Sequence, residues 1–265
     1  MPQGESNGLE FKGLICIFTS FRSFSNDLAV KRDEVQRMFD AIAPTYDLLN
    51  GVLSFGIDRL WRRRLIRSLG GIHGCRILDV ACGSGDLLVA FSRHGVRSMA
   101  GADIATAMLR RASTRMPQSS VPCLLVAGAA EELPFRDGTF DIATVAFGFR
   151  NFEDPLAGLQ ELHRVLRHGG RLRILEFSEP PPGMWGTVFR WYFRRVLPRI
   201  GAWVSGHPAA YAYLPDSVRT FPSVPAVLDM LTRVGFVHTS RSSLSGGVAT
   251  LYAAEKSRDS AHPQT

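Results

Sequence analysis

Apolar and polar positions follow two different rhythms along this chain, and the change falls at Arg76. Upstream, residues 33–43 and 57–69 carry apolar side chains at helical spacing, with Ile57, Leu60, Trp61, Leu65 and Leu69 on one face of the second segment. Residues 1–30 show no clear period and read as a loose extension. Downstream, short apolar runs predict strands at 76–81, 97–103, 122–128, 140–147 and 171–178. Amphipathic stretches between them predict helices at 86–94, 105–115 and 154–167, the last stopped by His168-Gly169-Gly170. A Pro-rich break, Glu179 to Gly183, leads into an aromatic and basic segment, 183–203. Two closing strands, 235–243 and 248–256, are joined by a turn at Gly246-Gly247.

Strand and helix in strict alternation predict crossover connections, and so an α/β fold: a Rossmann-like, doubly wound, mostly parallel sheet of seven strands. The expected organisation is one domain over residues 31–256. It comprises N-terminal helices (31–75), a ligand-binding core (76–179), an insertion after the fifth strand (180–232) and the closing strands (233–256). Residues 257–265 read as a disordered tail.

Composition narrows this picture. At 265 residues and 45% hydrophobic content the chain can bury a sizeable core. The four cysteines, Cys16, Cys75, Cys82 and Cys123, are scattered, so neither a disulfide framework nor a metal site is implied, and a cytoplasmic location fits best. Residues 11–18 follow Glu5 and Glu10 rather than a basic region, which makes a poor signal peptide. No apolar stretch approaches the roughly 18 residues of a membrane span. The formal charge of +7 suggests nucleic acid until it is divided along the chain. Residues 76–179 are neutral, whereas residues 180–220 hold five arginines against one aspartate. The basicity is local, and no nucleic-acid partner is expected.

The candidate chemistry starts at Leu78-Asp79-Val80-Ala81-Cys82-Gly83-Ser84-Gly85-Asp86, an apolar strand ending in two glycines. In a doubly wound sheet the ligand sits beyond the C-terminal strand ends, where Gly83 and Gly85 let the backbone approach it. A dinucleotide fingerprint needs a third glycine at position 88, which is Leu, and the lysine of a phosphate-binding loop is absent too. S-adenosylmethionine has no phosphate; its amino-acid tail would lie near Asp79 and Gly83. Asp103, 18 residues after Gly85 at the end of the second strand, is placed to accept hydrogen bonds from a ribose diol. The competing reading is a tight turn with Asp103 capping the following helix.

Together with Glu131-Glu132-Leu133-Pro134-Phe135 and the stretch from Arg164 to Leu172, these residues resemble the class I S-adenosylmethionine-dependent methyltransferases. A narrower resemblance, to the ubiquinone/menaquinone biosynthesis C-methyltransferases, rests on several separate stretches. They are Phe39-x-x-Ile42-Ala43-x-x-Tyr46-Asp47-x-x-Asn50, Ser54-Phe55-Gly56, Trp61-Arg62-Arg63, Phe147-Gly148-Phe149-Arg150-Asn151, Leu175-Glu176-Phe177-Ser178 and Tyr213 to Arg219. The resemblance runs from about residue 35 to 256. It implies cofactor contacts at Ser84 and Asp103. Where the family has Asn or Asp followed by Ala, this chain has Ala129-Ala130, so a side-chain bond to adenine is lost and the backbone amide of Ala130 is left to reach the base. The family's small hydroxyl before the Phe-Gly motif is Ala146 here.

The same resemblance implies methyl transfer to a ring carbon of a polyprenylated hydroquinone, such as demethylmenaquinol or a methoxy-polyprenyl-benzoquinol, without a metal. Such a reaction needs the ring carbon about 3–3.5 Å from the methyl and help in removing a phenolic proton whose pKa is near 10. The expectation is that Arg150 and Asn151 stabilise the quinolate while Tyr46, Asp47 and Tyr213 line the ring pocket. An alternative pairs Arg150 with Glu153 or Asp154 and leaves Asn151 as a helix cap. The aromatics and Arg190, Arg194, Arg195 and Arg199 of the 183–203 segment suit peripheral contact with an anionic membrane. A homodimer is compatible with the same pattern. Two rival readings are a methyltransferase for another lipid or small phenol, and a non-catalytic cofactor binder, for which Ala129 and Ala146 speak. An RNA or DNA methyltransferase is disfavoured because Phe-Gly-Phe-Arg-Asn stands where a base-gripping tetrad would be.

Overall fold

The computed structural model describes residues 15–16, 26–43, 54, 56–116, 121–197, 199 and 217–258. Its strands are β1 (Ile15–Cys16), β2 (Arg76–Val80), β3 (Ser98–Asp103), β4 (Cys123–Ala127), β5 (Phe140–Ala146), β6 (Leu166–Phe177), β7 (Phe236–Leu244) and β8 (Ala249–Lys256). They form one sheet in the order β1-β4-β3-β2-β5-β6-β8-β7. Neighbours from β1 through β6 are parallel, and β8 runs antiparallel to both β6 and β7. The chain lays down β2, β3 and β4 in one direction, then returns to place β5 and β6 on the other side of β2. That reversal opens a crevice at the C-terminal strand ends.

β2, β3 and β5 are buried on both faces, which is why their sequences are almost unbroken apolar runs. One face is covered by α5 (Pro155–Val165) and α7 (Val224–Val234) through Leu159, Leu162, Val227 and Leu231. The other is covered by α2 (Ile57–Ser68), α3 (Asp86–Phe91) and α4 (Thr106–Arg115) through Leu65, Leu88, Phe91 and Leu109. The β7 edge is polar and largely exposed.

Three sequence expectations are corrected. The first 30 residues are not wholly a loose extension. Ile15 and Cys16 pair in parallel with Leu125 and Val126, and α1 runs from Asn26 to Ile42 rather than from residue 33. The sheet therefore gains a two-residue edge strand beyond the predicted seven. Lastly, α5 ends at Val165, with Leu166 already extended, and the two glycines do not stop it. Leu166 pairs with Phe140 and Arg171 with Ile142, so the register of β6 on β5 shifts across a bulge between them. The last predicted strands and their glycine turn are found close to where they were read.

α1 lies across the crevice. Its Asp40 accepts the Ala107 amide through Oδ1 at 2.8 Å. It thereby caps α4 from outside, since Ala105, the residue preceding that helix, has no side-chain acceptor of its own.

Candidate active site

The C-terminal ends of four strands enclose a cleft with about 760 Å³ of empty space out to its open mouth. Its walls are Val80, Ala81 and Gly83 at the end of β2, Asp103 and Ile104 at the end of β3, Gly128, Ala129 and Ala130 after β4, and Ala146, Phe147 and Gly148 at the end of β5. Val35 and Phe39 of α1 close one side, and Asn151 stands on another. Gly83, Asp103, Ala129, Ala130, Ala146 and Asn151, read from the sequence as one site, therefore face a common space. Asp79, Ser84, Gly85 and Arg150 lie behind that wall.

Backbone shape at two strand ends is unusual. Ala81 has φ 52° and Phe147 has φ 62°, left-handed values that side chains other than glycine rarely adopt. The two strand ends press together so closely that a Cβ on Gly148 would lie 2.3 Å from the Ala81 Cβ. Close helix packing is arranged differently from a dinucleotide fold. The missing glycine of α3 is Leu88, and the space it fills is left open by Gly101 on β3, where an added Cβ would come within 2.7 Å of Leu88 Cδ1.

A chain of charges fastens the glycine loop from outside. Ser54 Oγ donates to Asp58 (2.7 Å), Arg62 bridges Asp58 (2.5 Å) and Asp86 (3.2 Å), and Arg115 holds Asp86 (2.7 Å). Arg115 also donates to Ser84 Oγ at 2.7 Å and to the Ser84 carbonyl at 3.0 Å. Burial pushes the Asp86 carboxyl up, but Arg62 and Arg115 outweigh it and hold the group below its ordinary range. The Ser84 hydroxyl is thus tied to the loop's own scaffold. Sequence reasoning missed this clamp, although Arg62 lies in one quoted motif and Asp86 closes another.

Two buried acids bear on the cleft, Asp103 in its wall and Asp79 behind it. Asp79 is 2% exposed and accepts the Thr144 hydroxyl at 2.6 Å; burial dominates and lifts its pKa to about 7. Asp103 accepts the Gly83 amide through Oδ2 (2.7 Å) and the Ala105 amide through Oδ1 (2.9 Å). Burial again lifts it, to about 6, against the pull of those amides and with a further push from Asp40. Asp103 thus lines the cleft while it braces the turn that leads into α4, whose first turn is capped by Asp40. A carboxylate offers about four acceptor positions, so two amides do not exhaust it.

The Phe147–Asn151 turn departs most from expectation. Arg150 pairs with neither Glu153 nor Asp154, nor is it a free cation at the cleft. Its side chain is 7% exposed, and Nη1 donates to Glu176 Oε1 at 2.8 Å and to the Phe147 carbonyl. Glu176 is fully buried, and its Oε2 accepts the Arg150 amide at 3.1 Å. Arg150 Nε donates to Ser217 Oγ at 3.3 Å, and its guanidinium lies 5.6 Å from the Phe177 ring centre. Three sequence stretches, Phe147–Asn151, Leu175–Ser178 and the end of Tyr213–Arg219, meet at this one side chain. Glu176, a lone acid inside the apolar run of β6, was the available signal for a buried partner. Asp154 caps α5 through the Leu156 and Ala157 amides, the role the alternative gave to Asn151. Tyr46, Asp47 and Tyr213 lie outside the described residues.

The loop after β4 is fixed by two polar residues. Arg164 donates to the carbonyls of Leu133 (2.9 Å) and Phe135 (2.7 Å), and Glu161 Oε2 accepts the Leu133 amide at 2.8 Å. The Glu-Glu-Leu-Pro-Phe stretch thereby holds Ala129 and Ala130 against the cleft.

Comparison with known proteins agrees with this geometry. Residues 27–256 match the model of the ubiE/COQ5 methyltransferase family. A demethylmenaquinone methyltransferase of Thermus thermophilus is 45% identical over 220 residues, spanning 83% of this chain and all of the relative. The ubiquinone/menaquinone biosynthesis C-methyltransferase UbiE of a Geobacter species, strain M21, is 43% identical over 233 residues, 86% of this chain and 99% of the relative. Among solved structures, an S-adenosylmethionine-dependent methyltransferase of Thermotoga maritima superposes with a TM-score of 0.58 at 19% identity, covering 83% of this chain and 99% of that one. The [4+2]-cyclase SpnF superposes with a TM-score of 0.62 at 17% identity, covering 86% and 97%; at these identities the likeness is one of fold.

Proposed function

The chain belongs to the ubiE/COQ5 methyltransferase family and is an S-adenosylmethionine-dependent C-methyltransferase of quinone biosynthesis, and we propose that its acceptor is a polyprenylated hydroquinone, demethylmenaquinol first. The observation that carries this reading is the single cleft on which Gly83, Asp103 and Asn151 converge. The relatives named for demethylmenaquinone, at 44% and 45% identity, favour the naphthoquinol.

The residues fit the donor. Asp103 would take the ribose hydroxyls, and its geometry is fixed beforehand by two backbone amides. Ile104, Ala129, Ala130 and Ala146 offer an apolar wall for a purine, with backbone polar groups in place of the lost side-chain contacts. Bound S-adenosylmethionine supplies a sulfonium methyl to an in-line attack by carbon.

The chain's remaining tasks are to orient the ring, favour its ionised form and exclude water. Asn151 would hold a phenolic oxygen by hydrogen bonding. Arg150, neutralised by Glu176, acts at one remove: it sets the Phe147–Asn151 turn that presents Asn151. Phe147 and the α1 side chains Val35 and Phe39 would shield the bound methyl and ring from solvent on their side of the cleft. Tyr46, Asp47 and Tyr213 complete the ring pocket in this proposal. The insertion at 183–203 would serve the isoprenoid tail at the cytoplasmic face of a membrane. Among the described residues no helix is long and apolar enough to cross one.

The test is an assay with methyl-labelled S-adenosylmethionine and short-chain demethylmenaquinol or benzoquinol analogues, with product mapping by mass spectrometry. Label on the naphthoquinol ring carbon is expected. Transfer to oxygen, or to neither acceptor, would reject the proposal.

A further inference from the structure

Helix α6 (Met184–Trp191) turns its apolar residues outward. Met184, Trp185, Val188 and Trp191 are 88%, 56%, 54% and 62% exposed and recur at spacings that place them on one face. Single exposed apolar side chains are ordinary, but a contiguous face of four marks a surface that is meant to be covered.

The opposite side of α6 is already packed. Phe189 stacks on Phe193 with ring centres 5.2 Å apart, Phe193 meets Phe177 at 5.9 Å, and Phe177 meets Phe147, a cleft residue, at 4.7 Å. Trp185 Nε1 donates to the Ser245 carbonyl, and Trp61 Nε1 on α2 donates to the Ser245 hydroxyl. The exposed face is thus joined to the cleft wall by a continuous aromatic layer and is braced against the folded core.

Charge selects what covers it. Arg194, Arg195 and Arg199 are exposed just beyond the apolar face, and among the described residues Arg194 meets one acid, Glu179, at 3.6 Å, itself half exposed. Two outward tryptophans followed by arginines match a boundary between hydrocarbon and anionic headgroups.

We propose that the outer face of α6 docks the protein on an anionic lipid bilayer, bringing the cleft to the plane where a prenylated acceptor resides. The purpose of the docking rests on the acceptor reading above; the docking itself does not. The test is flotation with vesicles of phosphatidylcholine, with and without phosphatidylglycerol, at low and high salt. The wild type should float with anionic vesicles and be released by salt. Met184→Ser/Val188→Ser/Trp191→Ser should weaken partition about a hundredfold. Arg194→Gln/Arg195→Gln should remove the lipid-charge preference while the circular dichroism spectrum stays unchanged. Both variants should keep the wild-type melting temperature and the wild-type affinity for S-adenosylmethionine in vesicle-free solution. Docking is rejected if the wild type ignores vesicles, if retention is indifferent to lipid charge and salt, or if the apolar variant binds as well as the wild type. It is also rejected if the face instead mediates self-association that the triple variant abolishes. Wild-type failure on the soluble quinol would sink the acceptor reading alone.

Discussion

At the scale of single residues, the cleft depends on backbone positions more than on reactive groups. Ala81 and Phe147 hold left-handed conformations on adjacent strand ends, and only the absence of a side chain at position 148 lets those ends meet. Gly148→Ala should destabilise the fold by about 1–3 kcal/mol, the usual cost of overpacking, and should weaken cofactor binding further. Thermal melts and titration calorimetry would measure both. Gly71→Ala, which meets nothing within 4 Å, is the matched control and should be nearly neutral. An equal effect at both positions would show that the Ala81 contact is not the cause. Ala129 and Ala146 teach a related lesson: their side chains carry no polar group, yet they stand in the cleft wall because strand ends place them there.

At the scale of elements, charged side chains tie together pieces that hydrophobic contacts alone would let slide. Arg62, Asp86 and Arg115 link α2, α3 and α4 around the glycine loop, and Arg150 with Glu176 links β6 to the turn after β5. The second pair is almost fully buried, so removing one partner leaves the other without compensation. Glu176→Gln should cost about 3–5 kcal/mol in a urea unfolding experiment. Adding Arg150→Met should recover much of that loss, because the stranded charge is gone while the site remains filled. In a cofactor-saturated assay the double variant should still turn over slowly, since the turn bearing Asn151 loses its anchor. Additive losses in the double-mutant cycle would refute the coupling.

Across the whole molecule, the cleft is made by topology, and the buried acids in and behind its wall couple folding to pH through their protonation. Asp79 and Asp103 have folded pKa values of about 7 and about 6, above their ordinary 3.8. The folded state therefore holds protons more tightly than the unfolded one. Their contribution is fully present below the ordinary value and is lost as pH rises through about 6 and then about 7. Asp86, held low, works in the opposite sense and matters only in more acid solution. The ligand-free protein should thus be less stable at pH 8 than at pH 5, by a few kcal/mol in urea unfolding. Asp79→Asn should flatten that slope; an unchanged slope would exclude Asp79 as its source. Much of the architecture was legible in the order of apolar runs, because strands buried on both faces leave an unbroken hydrophobic signature and βα alternation admits few connections. The edge strand at Ile15–Cys16 was not, since two residues carry no period, and the Gly169-Gly170 stop was misread because the chain passes directly from helix to paired strand. By itself the sequence determined the fold class, the family and the side chains present: Gly83, Asp103, Asn151 and the two alanines. Only the tertiary structure decided that Arg150 faces Glu176, that Ser84 is bound by Arg115 and that α6 turns its tryptophans outward. Local periodicity encodes which face is apolar; a partner 26 or 31 residues away is chosen by how the sheet folds back on itself.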